Sequence, residues 1–132
     1  MTNSMSHLHE SLHYESTLEV SSPTYPGVKY RIRRPSFRRR SDLIGQVREL
    51  GRGLQFLEAG EGVADRIEAF HVHSKIDQLY LEWGLEKIEG MEIDCEPITV
   101  ESLIAKGPED LTIEIIDRIK SLCTISEAER KN

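Results

Sequence analysis

The chain has 132 residues, which is long enough for one domain to bury a hydrophobic core without disulfides or metals. Hydrophobic residues make up 38% of the sequence and charged residues 30%, so we expect part of the chain to be extended or to be buried only against a partner. Cys95 and Cys123 form no Cys-x-x-Cys motif, and no run of about 18 apolar residues occurs, which argues against a disulfide framework and a membrane-spanning helix. A soluble intracellular protein is expected.

Charge is distributed unevenly along the chain. The net charge is −6, yet eight arginines and only two acidic residues lie between Tyr30 and Gly53. The rest of the chain is therefore strongly acidic, and the sequence is polarised into a basic segment and an acidic remainder.

The first 14 residues are polar and show no periodic pattern, which predicts a mobile N-terminal arm over residues 1–14. His7, His9 and His13 lie in or near this arm without cysteine or carboxylate scaffolds, so we interpret them as solvated side chains and not as metal ligands. Residues 15–132 are predicted to form a single helix-rich domain.

A β-hairpin is predicted over residues 16–34. Its strands, Ser16–Ser22 and Val28–Arg33, contain β-prone residues, and Pro26-Gly27 between them suits a type II turn. Proline fixes the first central φ angle of such a turn, and glycine supplies the positive second one.

Two long helices are predicted next, over residues 36–59 and 63–83. Apolar residues recur at steps of three and four in each, and a loop of three residues joins the two patterns, so we expect an antiparallel helical hairpin. The first stripe comprises Leu43, Val47, Leu50, Leu54 and Leu57, and the second comprises Ala69, Val72, Ile76, Leu79 and Trp83, widened by Val63, Ile67 and Phe70. Gly45, Gly51 and Gly53 weaken the first helix by about 1 kcal/mol each, so it needs a packing partner.

The pattern changes after Gly84. Residues 85–98 suggest two very short strands or an extended excursion, and helices are predicted over residues 100–106 and 108–123, the last with Leu111, Ile115, Ile119 and Leu122 on its buried face. The predicted fold class is therefore mainly α with a minor β component.

The segment from Arg31 to Arg40 breaks a local rule, because Arg38, Arg39 and Arg40 fall in the first turn of a helix, where the dipole disfavours cations. Three interpretations stay open: phosphate binding on nucleic acid, ion pairing with the acidic remainder of the chain, and docking of an acidic protein surface. Candidate partner-binding residues are Arg34, Phe37, Arg38, Arg39, Arg40, Tyr80 and Trp83, since arginine and aromatic residues are enriched in binding hot spots.

The sequence shows no catalytic constellation. His71 and His73 are two residues apart, which places them on different faces of a helix and disfavours a shared metal ion. The acids between Glu82 and Glu96 have no neighbouring base, nucleophile or glycine-rich phosphate loop. We therefore expect a protein that is not an enzyme and needs no cofactor or metal.

Three segments carry a resemblance to a known family: Tyr80–Leu85, Ile88–Asp94 and Gly107–Leu111. With them the chain resembles the tail assembly chaperones and related small tail proteins of long-tailed bacteriophages and prophages. The resemblance covers residues 26–132, and neither the arginine cluster nor the histidine-bearing arm matches the general pattern.

The resemblance implies a small, helical, non-enzymatic chaperone that binds the long helical tape-measure protein in the host cytoplasm while the tail tube assembles. Two other functions stay open: a structural virion accessory that remains in the particle, and a small nucleic-acid-associated protein that uses Arg31–Arg40. Self-association is also an open alternative, nucleic acid is the less favoured partner, and no membrane role is expected.

Overall fold

The structure is a computed structural model that describes residues 11–124. It is 56% helical with a small antiparallel sheet, a mixed α+β fold in which helices predominate. The elements in chain order are β1 (Thr17–Ser21), β2 (Lys29–Arg33), α1 (Phe37–Leu50), α2 (Leu54–Ala59), α3 (Val63–Gly84), β3 (Leu85–Glu89), β4 (Glu92–Ile93), β5 (Glu96–Pro97), α4 (Val100–Lys106) and α5 (Glu109–Cys123). Most of the predicted N-terminal arm lies outside the described residues, and residues 11–14 have no regular secondary structure.

The predicted β-hairpin is present. Strands β1 and β2 pair antiparallel, with Thr17 opposite Arg33 and Ser21 opposite Lys29. In the turn, Val28 N–H donates to the carbonyl of Tyr25 at 3.0 Å. Gly27 has a φ of +93°, as the second central position of a type II turn requires.

The segment after Gly84 contributes more to the sheet than expected. Strand β3 pairs antiparallel with β2, with Tyr30 opposite Ile88, and completes a three-stranded sheet in the order β1-β2-β3. The short strands β4 and β5 form a separate two-stranded sheet.

The prediction of one continuous helix over residues 36–59 is wrong. Helix α1 ends at Leu50, and α2 begins at Leu54. Gly53 adopts a φ of +84°, which is outside the right-handed helical region and is available to glycine at little cost. The chain therefore turns between α1 and α2, and the first arm of the helical hairpin consists of two shorter helices.

The two arms nevertheless run antiparallel. His73, at the middle of α3, contacts Glu58 on α2 at 2.9 Å. Arg39 on α1 lies over the ring of Trp83 near the end of α3. Leu43 on α1 and Ala69 on α3 are both buried.

The main core lies between the three-stranded sheet and helices α3, α4 and α5. Its buried members are Val20, Val28, Tyr30, Ile32, Leu81, Leu85, Ile88, Ile98, Leu103, Leu111, Ile115, Ile116 and Ile119. Of the four residues predicted for the buried face of the last helix, three are fully buried, and Leu122 is half-buried. None of the helices described between residues 11 and 124 is both long and apolar enough to cross a membrane.

Candidate protein-binding surface

The first turn of α1 brings Arg39 to the carboxyl end of α3. The guanidinium carbon of Arg39 lies 4.2 Å from the ring centroid of Trp83. The same guanidinium donates hydrogen bonds to the main-chain carbonyl of Trp83 and, at 3.4 Å, to that of Arg34. Burial lowers the pKa of Arg39, and the positive charge of Arg33 lowers that pKa further.

Arg40 makes the corresponding contact at the end of α5. Its Nη2 donates to the carbonyl of Leu122 at 3.2 Å. The last carbonyls of a helix have no partner within the helix and form the negative end of its dipole. Arg39 and Arg40 therefore lie at the positive end of their own helix but also at the negative ends of α3 and α5. The contacts with α3 and α5 explain why arginines occupy a position that the dipole of α1 disfavours.

Two other arginines form ion pairs on the outer face of the sheet. Arg31 lies 2.9 Å from Glu19 and 3.4 Å from Glu86, and Arg33 lies 3.8 Å from Glu86. Ion pairing with the acidic remainder of the chain is thus confirmed for these two residues. Such partly exposed pairs contribute at most about 1 kcal/mol each.

The remaining candidate residues differ in their exposure. Phe37 is 95% exposed, and the exposed side chain of Arg38 forms no hydrogen bond or salt bridge with any described residue. Arg34 is half-buried, with its guanidinium carbon 5.6 Å from the ring centroid of Tyr14.

Tyr80 and Trp83 are half-buried against the core and contact cations of the same chain. The Lys120 ammonium lies 5.3 Å from the Tyr80 ring and 2.7 Å from a carboxylate oxygen of Asp77. Burial is the main cause that raises the pKa of Tyr80. Of the seven candidates, Phe37 and Arg38 are thus the ones most accessible to a partner, and partner binding by any of them stays a prediction.

The structure also exposes an apolar surface that was expected to be buried. Val63, Ile67 and Phe70 were predicted to widen the inward stripe of α3, but they are 63%, 63% and 73% exposed. Their spacing of four and three places them on one face of the helix. Because successive residues point about 100° apart, that face differs from the one that carries the buried Ala69.

This exposed stripe continues into a groove between α3, α4 and α5. Phe70 and Ile113, which is 50% exposed, both line the groove, which has a volume of about 300 Å³. Its other lining residues are Ser74, Asp77, Gln78, Leu81, Ile104, Glu109, Thr112 and Ile116. We call Val63, Ile67, Phe70, Ile113 and this groove the α3–α5 surface.

The i, i+4, i+7 spacing of Val63, Ile67 and Phe70 was visible in the sequence. It did not reveal which neighbour covers that face. The same face is buried at Leu81, where the core covers it, and is exposed toward the start of α3.

The α3–α5 surface combines the exposed apolar side chains of Val63, Ile67, Phe70 and Ile113 with polar residues of the groove, a composition typical of protein-binding surfaces. Among residues 11–124, no three His, Cys, Asp or Glu side chains are placed to hold a metal ion together. Comparison of the chain with protein-family models, curated proteins and solved structures found no match.

Proposed function

We propose that this protein is a non-enzymatic tail assembly chaperone of a phage or prophage and that its α3–α5 surface binds amphipathic helical segments of a tape-measure protein in the host cytoplasm. The observation that carries the proposal is the exposed apolar stripe on α3 with its adjoining groove. The family follows from the resemblance of Tyr80–Leu85 and Ile88–Asp94 to such chaperones.

The surface has the dimensions and chemistry for an amphipathic helix. Val63 and Phe70 are seven residues apart, which spans about 10 Å along α3 and corresponds to two turns of a partner helix. Each exposed apolar side chain that a partner buries completely contributes roughly 1.5 to 3 kcal/mol. Four such side chains would contribute roughly 6 to 12 kcal/mol at most, and an association cost of roughly 4 to 15 kcal/mol is subtracted from that, so polar contacts beside the groove must also contribute to a micromolar complex.

The charged residues that line the groove indicate the charge expected on a partner helix. Asp77 and Glu109 line the groove; Asp77 pairs with Lys120 of the same chain at 2.7 Å, whereas Glu109 forms no salt bridge with any described residue. A partner helix with an apolar stripe flanked by basic residues would complement it. The nucleic-acid alternative has less support, because Arg31, Arg33, Arg39 and Arg40 contact groups of their own chain.

Co-expression with the tape-measure protein of the same phage or prophage, followed by affinity purification, tests the proposal. We expect the wild-type chain to be recovered with the tape-measure protein and Phe70→Asp to lose it. Phe56→Asp is a matched control, because Phe56 is 79% exposed on α2 and does not line the groove. Absence of a complex at micromolar concentrations, or equal recovery of both variants, would overturn the proposal.

A chaperone is also expected to leave the finished particle. Mass spectrometry of purified particles should therefore not detect this chain. Its stoichiometric presence would favour the alternative of a structural virion accessory.

A further inference from the structure

A second exposed apolar surface lies on α1. Phe37 is 95% exposed and Ile44 is 48% exposed, and their spacing of seven residues places them on the same side of the helix, two turns apart. Both line a cleft of about 510 Å³. The other residues that line it are Arg40, Ser41, Gly45 and Arg48. We call this set the α1 cleft.

The α1 cleft and the α3–α5 surface have opposite charges. Among the described residues, the α1 cleft is lined by Arg40 and Arg48 and by no acidic residue, whereas the groove of the α3–α5 surface is lined by Asp77 and Glu109. Arg40 donates to the Leu122 carbonyl and Asp77 pairs with Lys120 at 2.7 Å, so Arg48 and Glu109 are the charges that carry this difference. In both, apolar side chains lie beside the charges. The uneven charge distribution along the sequence thus reappears as two complementary surfaces on one molecule.

We infer that the α1 cleft of one copy of this chain binds the α3–α5 surface of a second copy. In such a contact, Phe37 and Ile44 would pack against Phe70 and Ile113, and Arg48 of one copy would face Glu109 of the other. Because the two surfaces are different, the contact is heterologous, and association continues head to tail into a ring or an open chain.

The contact uses the same groove that we propose for the tape-measure helix. Self-association and partner binding would therefore compete, so that the apolar groove is covered until a partner arrives. This competition rests on the proposed function, whereas the self-association itself does not.

Sedimentation velocity of the full chain without a partner tests the self-association. At low salt, the weight-average mass should rise above the 15.1 kDa of one chain as the protein concentration increases. Screening of the Arg48 and Glu109 charges should raise the dissociation constant by up to about fivefold between about 50 and 500 mM NaCl. A mass of one chain at every concentration at low salt would overturn the inference.

Two variants separate a heterologous contact from a symmetric one. Ile44→Glu alters the α1 cleft and Ile113→Lys alters the α3–α5 surface, and both positions are about half exposed, so the fold should tolerate the changes. Each variant alone should remain monomeric at concentrations where the wild type associates. Their mixture should form a heterodimer, because one variant keeps an intact cleft and the other an intact groove.

Phe56→Glu introduces a comparable charge at an exposed apolar position outside both surfaces and should associate like the wild type. Far-UV circular dichroism establishes that each variant is folded. The inference is wrong if either single variant associates like the wild type, if the mixture stays monomeric, or if Phe56→Glu also abolishes association.

Discussion

At the scale of single residues, the arginines of α1 connect separate parts of the fold. Arg39 donates a hydrogen bond to the carbonyl of Trp83 near the end of α3, and Arg40 donates one to the carbonyl of Leu122 near the end of α5. Both acceptors are more than 40 residues away from their donors in sequence. The sequence indicated that these arginines break a local rule of helix electrostatics. It did not indicate the reason, because the acceptors are main-chain carbonyls, which every residue possesses.

Replacement of Arg39 with alanine should lower the free energy of unfolding by about 1 to 3 kcal/mol, because the stacking on Trp83 and two charge-assisted hydrogen bonds are lost. Arg38→Ala is the matched control in the same helical turn, and its exposed side chain predicts a change within about 0.5 kcal/mol. Urea unfolding followed by tryptophan fluorescence measures both. Equal stability of the two variants would contradict the role assigned to Arg39.

Tyr30 predicts a pH dependence of stability. Burial raises the pKa of its phenol well above 10.0, and the hydrogen bond to Glu114 raises that pKa further. Above about pH 10, the unfolded chain loses this proton while the folded chain keeps it, so the free energy of unfolding should fall as the pH rises.

Tyr30→Phe should remove this contribution and make the decline above pH 10 shallower by up to about 1.4 kcal/mol per pH unit. Denaturant unfolding of both proteins at several alkaline pH values provides the comparison. If the free energy of unfolding of both proteins falls equally steeply with pH, Tyr30 is not the source of this pH dependence.

At the scale of secondary-structure elements, the sequence predicted those features that depend on residues close together in the chain. The hairpin of β1 and β2 followed from its Pro26-Gly27 turn, and the end of α4 followed from Gly107. Strand β3 was not predicted as part of the same sheet, because its partner β2 lies more than 50 residues earlier in the chain. The break between α1 and α2 was not predicted, because the apolar residues keep a helical spacing on both sides of it. The chain turns there because Gly53 adopts a positive φ angle.

Replacement of two helical glycines with alanine should change the stability of the protein in opposite directions. At Gly84, an added Cβ would lie 2.7 Å from Cγ2 of the buried Ile119, so Gly84→Ala should destabilise the protein by about 1 to 3 kcal/mol. At Gly45, an added Cβ has no neighbouring atom within 4 Å, and Gly45→Ala should stabilise α1 by about 0.5 to 1 kcal/mol. Thermal unfolding compares the two, and a Gly84→Ala protein as stable as the wild type would contradict the close packing of α3 on α5.

At the scale of the whole molecule, the fold separates a well-packed core from exposed apolar surface. The sheet and helices α3, α4 and α5 enclose the core, whereas the start of α3 carries exposed apolar residues away from it. The sequence predicted the residues of this stripe but placed them in the interior. Only the three-dimensional arrangement shows which part of the α3 face the core covers.

Binding of a helical partner to the α3–α5 surface is tested most directly by hydrogen–deuterium exchange. The chain is measured with and without the co-purified tape-measure protein. At concentrations where the free chain is monomeric, binding should slow amide exchange in residues 63–70 and 109–113 and leave the strands at residues 17–21 and 29–33 unchanged. Slower exchange confined to residues 37–48, or no change in any of these segments, would contradict the claim.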